Sequence, residues 1–419
     1  MAKMIVEKSM GLNGKVRISG AKNSALPILA ACLLTNEECI INSVPPLSDV
    51  YVMLEILHNL GVEIDFDEVK ERVTIRAKKI TCCETNYELT GKLRASFLVT
   101  GPLLARQGKV KVSMPGGCSI GSRPVDLHLK GFTSLGAKIK NDNGYIDIKG
   151  KSLSGSNIYL DFPSVGATEN IIMASVLAKG ITIIENAATE PEIIDLANFI
   201  NKMGGHISGA GTDKISIKGV EYLSGTKHTI IPDRIEAGSF MLAAAITRGN
   251  IALQNVIPDH IKPVIAKLEE ANVTIEQSGK TLIVNAEDDL TQINIKTMPF
   301  PGFPTDMQAP FMTLMSLIKG TGIVTETIFE NRFMHVGELL RMGANIKIDG
   351  RTAVVEGVKK LSGTQVRATD LRAGMALVLA GLCAEGKTEI GDIYHIERGY
   401  YNLEHKLNKL GANICTIEE

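Results

Sequence analysis

The sequence predicts an α/β protein built from about six copies of one unit of about 70 residues. Short stretches in which polar and apolar residues alternate, as in strands, are separated by stretches with the apolar period of a helix. A Leu-Gly or Met-Gly pair closes one helical stretch in nearly every copy. The glycines of this pair are Gly61, Gly136, Gly204, Gly343 and Gly411, so successive glycines are 75, 68, 139 and 68 residues apart.

The interval of 139 residues is about twice the others and predicts one copy that has lost its glycine. Residues 270–273, with the sequence Glu-Ala-Asn-Val, lie where that glycine is expected. A second phrase, Leu-Ser-Gly, begins at Leu153, Leu223 and Leu361, which are 70 and 138 residues apart. Two independent phrases therefore indicate the same repeated supersecondary unit.

Within the first copy the elements follow a regular order. An alternating strand at residues 15–19 precedes a helix of small apolar residues at 24–34. A second strand leads to an amphipathic helix at 49–60, which ends at the Leu-Gly pair because glycine is the usual C-terminal cap. Strands at 62–66 and 73–76 close the copy.

The first helix of each copy begins beside a polar cluster. If the copies are related by rotation, these helix starts converge, and their free N–H groups form places suited to anions. The alternative is that Ser164, Thr305 and Asp370 are ordinary helix caps. The clusters are Lys22/Asn23, Lys92/Arg94, Ser164/Glu169, Asp233/Arg234/Glu236, Thr305/Asp306 and Asp370/Arg372.

Residues 115–129 combine glycines and prolines with a cysteine, an arginine, an aspartate and a histidine. Glycine and proline predict a surface loop in the first half of this stretch. Cys118 lies between glycines, and Arg123 follows it, which favours a reactive thiol. The alternative is a buried, inert cysteine in a turn-rich connection.

Composition narrows the class of protein. The 419 residues carry a formal net charge of −1 without a long charged run, which argues against a nucleic-acid or membrane-surface partner. No signal peptide or membrane-length apolar run is evident, so we expect a cytoplasmic protein. Seven cysteines without a CxxC pair indicate reduced thiols rather than disulfides or structural zinc.

Four longer motifs carry a resemblance to a known family: SGAKNSALPIL at 19–29, PGGCSIGSRPVDLHL at 115–129, SVGATENI at 164–171 and ENRFMHVGEL at 330–339. With them the sequence resembles the UDP-N-acetylglucosamine enolpyruvyl transferases from about residue 4 to the C-terminus. The resemblance implies a two-domain inside-out α/β barrel with six βαβαββ repeats. One domain spans residues 22–230, the other spans 1–21 plus 231–419, and the active site lies in the cleft between them.

The resemblance implies that the chain catalyses the first committed step of peptidoglycan synthesis. The enolpyruvyl group of phosphoenolpyruvate moves to the 3′-hydroxyl of UDP-N-acetylglucosamine, and phosphate leaves after addition and elimination through a tetrahedral ketal. Cys118 matches the general acid of the family and its site of alkylation by fosfomycin. Some relatives carry aspartate there, so the cysteine of this chain predicts sensitivity to fosfomycin.

Asp306 matches the residue that takes the proton of the sugar hydroxyl. An ordinary aspartate is a weak base, so we expect burial to raise its pKa. The alternative is a helix cap before Met307. Its assignment as a base is implied by the resemblance alone.

Cationic side chains around phosphoenolpyruvate are implied by the same resemblance. Lys22, Arg123 and Arg398 match them, and Arg332 and Arg372 line the same region; arginine pairs well with carboxylate and phosphate. Without the resemblance each would be a solvated surface charge, and Arg398 could pair with Glu397.

Binding of the UDP-sugar carries over to a larger set. The set comprises Asn23, Arg94, Arg123, Pro124, Val125, Asp126, Leu127, His128, Ser164, Val165, Gly166, Asp306 and Ile328. Asp370 is a further expected substrate-binding residue. One departure stands out, because Phe162 and Pro163 precede Ser164 where some relatives have a lysine that meets the diphosphate.

The resemblance implies no cofactor and no metal, because cationic side chains supply the positive charge, and we expect a monomer. The loop around Cys118 is expected to close as a lid once the UDP-sugar is bound. Two alternatives remain: a transferase like 5-enolpyruvylshikimate-3-phosphate synthase, which lacks the loop at 116–128, and a non-catalytic sensor of nucleotide sugars.

Overall fold

The computed structural model describes residues 2–9, 11–114, 120–121, 124–142, 144–286 and 288–418. Short strands alternate with helices along the chain, as the periodicity predicts. In chain order the strands are β1 (Lys3–Glu7), β2 (Asn13–Arg17), β3 (Glu38–Asn42), β4 (Glu63–Asp67), β5 (Arg72–Arg76), β6 (Lys109–Ser113), β7 (Lys138–Asp142), β8 (Tyr145–Lys149), β9 (Asn157–Tyr159), β10 (Ile181–Glu185), β11 (His206–Ser208), β12 (Lys214–Lys218), β13 (Lys227–Thr229), β14 (Asn250–Gln254), β15 (Thr274–Ser278), β16 (Thr281–Asn285), β17 (Ile295–Lys296), β18 (Thr321–Thr325), β19 (Asn345–Asp349), β20 (Thr352–Glu356), β21 (Gln365–Arg367), β22 (Lys387–Gly391) and β23 (Asn413–Ile417).

The helices fall between these strands, and short 3₁₀ turns extend some of them. The α-helices are α1 (Lys22–Ala31), α2 (Ser48–Asn59), α3 (Tyr87–Lys92), α4 (Thr100–Gln107), α5 (Asp126–Ser134), α6 (Val165–Ser175), α7 (Pro191–Lys202), α8 (Arg234–Thr247), α9 (Lys262–Glu270), α10 (Gln308–Met315), α11 (Val336–Arg341), α12 (Leu371–Cys383), α13 (Tyr394–Glu397) and α14 (Leu403–Lys409). The 3₁₀ helices are Cys32–Leu34, Arg94–Val99, Pro258–His260 and Thr305–Met307.

The strands of the described residues form six small sheets with one shared plan. Five have four strands: a parallel pair is followed by two antiparallel strands, as in β9, β10, β12 and β11. The sixth contains β6, β8 and β7, and a single parallel bridge between Glu84 and Lys111 occupies the place of its first strand. The six-fold repeat predicted from the glycine spacing is therefore present as six equivalent sheets.

The chain divides into two compact units. The terminal unit contains Met1–Ser19, Ser119–Ser122 and Pro232–Glu419, and the central unit contains Gly20–Cys118 and Arg123–Ile231. In the terminal unit, β1 pairs with both β22 and β23, and β2 pairs in parallel with β14. In the central unit, β13 pairs in parallel with β3.

Each unit contains helices that pack closely against one another. In the terminal unit α8, α10 and α12 pack against one another, and nearly every residue of these helices is buried. Helices that are buried on all sides require small apolar residues, and the run Ala243-Ala244-Ala245 in α8 provides them. In the central unit α4 packs against α6 in the same way.

The glycines that close the helices adopt the left-handed conformation that the pattern predicts. The φ angles are +95° at Gly61, +92° at Gly136, +101° at Gly204, +93° at Gly343 and +98° at Gly411. In the copy without glycine, Asn272 takes the same place with a φ of +69°. Asparagine tolerates this conformation better than most residues, which explains how one copy keeps its cap without glycine.

A search of the described residues finds no helix with both the length and the apolar character that a membrane crossing requires.

Candidate functional site

Asp306 is the centre of a charged cluster in the terminal unit. Its Oδ1 accepts a hydrogen bond from Arg332 Nη2 at 2.9 Å. Its Oδ2 accepts two from Arg372, at 3.1 Å from Nε and 2.8 Å from Nη2. The two arginine side chains are 3% and 7% exposed, whereas that of Asp306 is 27% exposed. The cluster is thus a buried pair of cations with a partly open carboxylate between them.

The charges of the two arginines determine how Asp306 titrates. Burial alone would raise the pKa of the Asp306 carboxyl, but Arg372 and Arg332 outweigh burial and hold that pKa well below its usual range. The expectation of a raised pKa is therefore wrong for this structure. Burial is real here, but opposite charges within hydrogen-bond distance favour the ionised form more strongly than burial opposes it.

The starts of three buried helices bring this cluster together. Arg372 is the second residue of α12, Asp306 lies in the 3₁₀ turn Thr305–Met307 before α10, and Asp233 caps α8. The charge of Arg234, at the start of α8, acts on Asp306, and the charge of Asp233 acts on Arg372, so the N-terminal ends of these helices lie close together. Within the terminal unit, the predicted convergence of helix starts is confirmed.

The cap predictions have mixed outcomes. Asp370 caps α12, since its Oδ1 accepts from the N–H groups of Arg372 and Ala373. Ser164 caps α6 by accepting from Ala167 N. Thr305 is not a cap: its hydroxyl instead donates to Glu326 at 2.8 Å. The alternative of a cap is also wrong for Asp306, because its carboxylate pairs with Arg332 and Arg372.

Tyr400 is a neighbour of the cluster that the sequence did not single out. Its hydroxyl lies 3.2 Å from Arg372 Nη1, which donates to it, and 2.8 Å from Ser239 Oγ. Burial raises the pKa of the Tyr400 phenol, so the hydroxyl stays protonated. Arg372 is thereby held from two sides, by Asp306 and by Tyr400.

Arg398 follows α13 directly and is partly buried. Its charge is one of those that act on His395: burial, then Arg398, lower the pKa of that imidazole. Arg398 belongs to the same unit as Asp306 and Asp370, and its contact with a substrate remains a prediction.

His335 is a second buried neighbour that the sequence did not single out as functional. Its Nδ1 lies 3.2 Å from the carbonyl oxygen of Arg332, so Nδ1 carries the proton, and its buried Nε2 has no hydrogen-bond partner among the described residues. Burial lowers the pKa of His335 from 6.5 to about 4, although the nearby carboxylate of Asp370 acts in the opposite direction. His335 is neutral at physiological pH and holds the backbone of Arg332.

This lowered pKa predicts a loss of stability in mild acid. Between pH 6.5 and about 4 the unfolded chain binds a proton at His335 that the folded chain does not, so the free energy of unfolding falls as the pH falls. The loss at pH 4 is on the order of 3 kcal/mol. Urea unfolding at pH 7 and pH 5 measures the slope. His335→Asn keeps a donor for the Arg332 carbonyl but does not titrate, so equal slopes in the two proteins would contradict the prediction.

In the central unit, Lys22 is the first residue of α1 and is buried beside a partner. Its Nζ lies 2.9 Å from Asp49 Oδ2, and the two side chains are 10% and 6% exposed. Asn23 beside it is exposed. The interpretation of Lys22 as a solvated surface charge is therefore wrong.

The predicted nucleotide-sugar residues of the central unit form a second group. Arg94 Nη2 lies 3.5 Å from the Pro124 carbonyl oxygen. His128 packs edge-on against Phe97, which belongs to the same 3₁₀ helix as Arg94. A Cβ on Gly166 would lie 3.3 Å from the ring of His128, so α6 begins in close contact with this histidine. The structure thus brings together Arg94, Pro124, Val125, Asp126, Leu127, His128, Ser164, Val165 and Gly166.

The hydrogen bonds of Asn170 determine the tautomer of His128. Asn170 Oδ1 accepts from Gly101 N at 2.8 Å, so its amide nitrogen faces the Phe97 carbonyl and His128 Nδ1, each at 3.0 Å. His128 Nδ1 must then accept, and the ring proton lies on Nε2. His128 is therefore a buried, oriented side chain, and its interpretation as an ordinary surface histidine is wrong.

Phe162, where some relatives have lysine, is 46% exposed. Lys130 of α5 reaches the same loop, with its Nζ 2.8 Å from Asp161 Oδ2. Lys130 is therefore a positive charge beside this loop, and the sequence analysis did not identify it.

Cys118 and Arg123 lie outside the described residues. Ile120, two positions after the cysteine, belongs to the terminal unit, where its carbonyl oxygen accepts from Asn331 N at 3.1 Å. The described residues contain no group of three or more His, Cys, Asp or Glu side chains that could hold a metal ion.

Comparison with known proteins relates this geometry to a family. Residues 6–407 match the family model described as EPSP synthase (3-phosphoshikimate 1-carboxyvinyltransferase). UDP-N-acetylglucosamine 1-carboxyvinyltransferase 1 of Caldanaerobacter subterraneus subsp. tengcongensis is 59% identical over 412 residues, which are 98% of this chain and 99% of that protein. UDP-N-acetylglucosamine 1-carboxyvinyltransferase 2 of Carboxydothermus hydrogenoformans is 56% identical over 421 residues, all of both chains.

Solved structures agree on the fold. The enolpyruvyl transferase NikO from Streptomyces tendae superposes with a TM-score of 0.89 at 23% identity, covering 99% of this chain and 98% of that one. EPSP synthase from Acinetobacter baumannii superposes with a TM-score of 0.77 at 19% identity over all of both chains. At this identity the likeness establishes the fold alone, and it confirms the predicted fold class, an inside-out α/β barrel.

Proposed function

The chain belongs to the enolpyruvyl transferase family, and on that premise we propose that it transfers the enolpyruvyl group of phosphoenolpyruvate to the 3′-hydroxyl of UDP-N-acetylglucosamine. The observation that carries this proposal is the 59% identity, over nearly the whole chain, to a UDP-N-acetylglucosamine 1-carboxyvinyltransferase. The chain is a transferase, and we assign its reaction to cytoplasmic peptidoglycan synthesis.

The reaction has two balanced steps. In the addition, the sugar oxygen bonds to C2 of phosphoenolpyruvate, Asp306 takes the hydroxyl proton, and Cys118 donates a proton to C3. In the elimination, the Cys118 thiolate takes a proton from C3 as phosphate leaves C2, which restores the double bond, and Asp306 gives its proton to the departing phosphate. Lys22, Arg123 and Arg398 hold the phosphate and carboxylate of phosphoenolpyruvate, because charge-assisted hydrogen bonds stabilise the anionic groups as the reaction proceeds.

The pairing of Asp306 with two arginines suggests how a weak base gains strength. A carboxylate held by Arg332 and Arg372 stays ionised, but it has little affinity for a proton. An anionic substrate that draws one guanidinium toward itself would raise the pKa of Asp306 at the moment when the base is needed. Binding of the substrate would then itself raise the pKa of Asp306 and so activate the base.

The proposed nucleotide-sugar contacts draw support from the central unit. Arg94 and the stretch Pro124–Val125–Asp126–Leu127 precede the oriented imidazole of His128, and the free N–H groups at the start of α6 suit a phosphate. In the terminal unit, Ile328 and Asp370 complete the proposed set. Where relatives use a lysine near residue 162, we propose Lys130 as the source of positive charge.

A shikimate-type transferase is the nearest second candidate. The matching family model carries that description, but the structural likeness to the EPSP synthase comes at only 19% identity. The relatives at 56–59% identity all carry the nucleotide-sugar name. The shikimate reaction is therefore not favoured, and no observation favours a non-catalytic sensor.

A phosphate-release assay tests the proposal. With phosphoenolpyruvate present, we expect phosphate release with UDP-N-acetylglucosamine and none above background with shikimate 3-phosphate. Either substrate alone serves as the control. Turnover with shikimate 3-phosphate, or none with the nucleotide sugar, would overturn the assignment.

A further inference from the structure

Glu326 is a fully buried carboxylate directly after β18 in the terminal unit. Its Oε1 accepts from Thr297 Oγ1 at 2.9 Å, from Ile328 N at 2.8 Å and from Phe329 N at 3.1 Å. Its Oε2 accepts from Thr305 Oγ1 at 2.8 Å. These four donors are all neutral. A buried carboxylate is costly to desolvate, so its hydrogen bonds hold the surrounding segments firmly in place.

Two separate routes lead from Glu326 to Asp306. The first runs through Thr305, whose hydroxyl is bonded to Glu326 and whose chain neighbour is Asp306. The second runs through Phe329: its N–H is bonded to Glu326, and its ring lies 5.6 Å from the guanidinium carbon of Arg332. Arg332 in turn donates to Asp306. The Glu326 carboxylate therefore positions two segments: the 3₁₀ turn that contains Asp306, and the segment that contains Arg332, which donates to Asp306.

We propose that Glu326 is a positioning residue for proton abstraction, which acts through Thr305 to hold Asp306 where the sugar hydroxyl must be met. This inference rests on the proposed function, because it assumes that Asp306 is the base. Displacing a base by about 1 Å can cost roughly 100-fold in rate, so small shifts of this turn have measurable effects.

Thr297 provides a matched control for Thr305. Both hydroxyls donate to Glu326, Thr297 to Oε1 and Thr305 to Oε2, but only Thr305 is the chain neighbour of Asp306. Thr297 Oγ1 also accepts from Thr327 N at 2.8 Å. Thr297→Val therefore leaves a backbone N–H without its partner and costs more stability than Thr305→Val.

The two variants separate positioning from stability. We expect Thr305→Val to lower kcat by about tenfold with a smaller change in KM for phosphoenolpyruvate, and Thr297→Val to lower kcat by less than about threefold. The melting temperatures should show the opposite order, with a larger decrease for Thr297→Val than for Thr305→Val. Thr305→Ser restores the hydroxyl and should recover most of the lost kcat.

Steady-state kinetics and thermal unfolding of the full chain decide the matter. If kcat follows stability, so that Thr297→Val is the slower enzyme, or if Thr305→Val keeps kcat within about threefold of the parent, the inference is overturned. Asp306→Asn separates the two proposals. If Asp306→Asn is inactive and Thr305→Val has a normal kcat, only the positioning role of Glu326 is rejected. If Asp306→Asn is active, the assignment of Asp306 as the base is rejected.

Discussion

Replacing Asp306 by asparagine is expected to lower turnover by at least about 100-fold, the usual contribution of a general base. The amide nitrogen cannot accept the proton of the sugar hydroxyl. The change also leaves one of two buried arginines without its full partner, since the carboxylate now accepts three hydrogen bonds from Arg332 and Arg372. Removing one member of such a buried pair costs about 3–5 kcal/mol, so a lower melting temperature accompanies the loss.

Binding measurements separate chemistry from instability in Asp306→Asn. Calorimetric titration with UDP-N-acetylglucosamine, well below the melting temperature, should still show binding. Retention of more than about a tenth of the parent rate would be incompatible with a base worth 100-fold.

Replacing Cys118 by alanine is expected to lower turnover by at least about 100-fold and to abolish covalent inactivation by fosfomycin. Alanine has neither a proton to donate to the vinyl carbon nor a sulfur to alkylate. Cys118→Asp restores an acid, as in some relatives, so it should regain turnover and remain insensitive to fosfomycin. Initial rates and the mass of the inhibitor-treated protein measure both effects.

The exposed thiol of Cys415 is the natural control for Cys118. Cys415→Ala should keep both the rate and the fosfomycin adduct of the parent. Two results would show that the thiol is a packing residue. One is near-parent turnover of Cys118→Ala, and the other is a fosfomycin adduct that still forms on this variant, with the same added mass as on the parent.

Local features of this fold could be predicted because their causes are local. A helix that ends in a left-handed residue needs glycine or asparagine, so the spacing of Gly61, Gly136 and their equivalents revealed the repeat, and Asn272 takes the place of glycine in the copy that lacks it. The caps at Ser164 and Asp370 likewise depend on a side chain and N–H groups within three residues.

The features that sequence reasoning missed depend on distant partners. Arg372 and Asp306 are 66 positions apart, and only their contact in space reverses the direction in which burial would move the pKa of Asp306. Thr305 has the sequence signature of a cap, but its hydroxyl instead donates to Glu326, which follows β18 and lies 21 positions away. Tyr400 and Glu326 occupy no motif position that indicates a role, because their partners are distant in the sequence: Ser239 lies 161 positions from Tyr400, and Thr297 lies 29 positions from Glu326.

The pairing of β1 has a consequence for how the protein is made. This strand leaves the ribosome well before its neighbours β22 and β23, which lie far later in the chain. The central unit holds all its own strands within residues 20–231 and is free to form during translation. β1 must wait, unpaired, until β22 and β23 have been synthesised, so the terminal unit completes its fold after the central unit has been made.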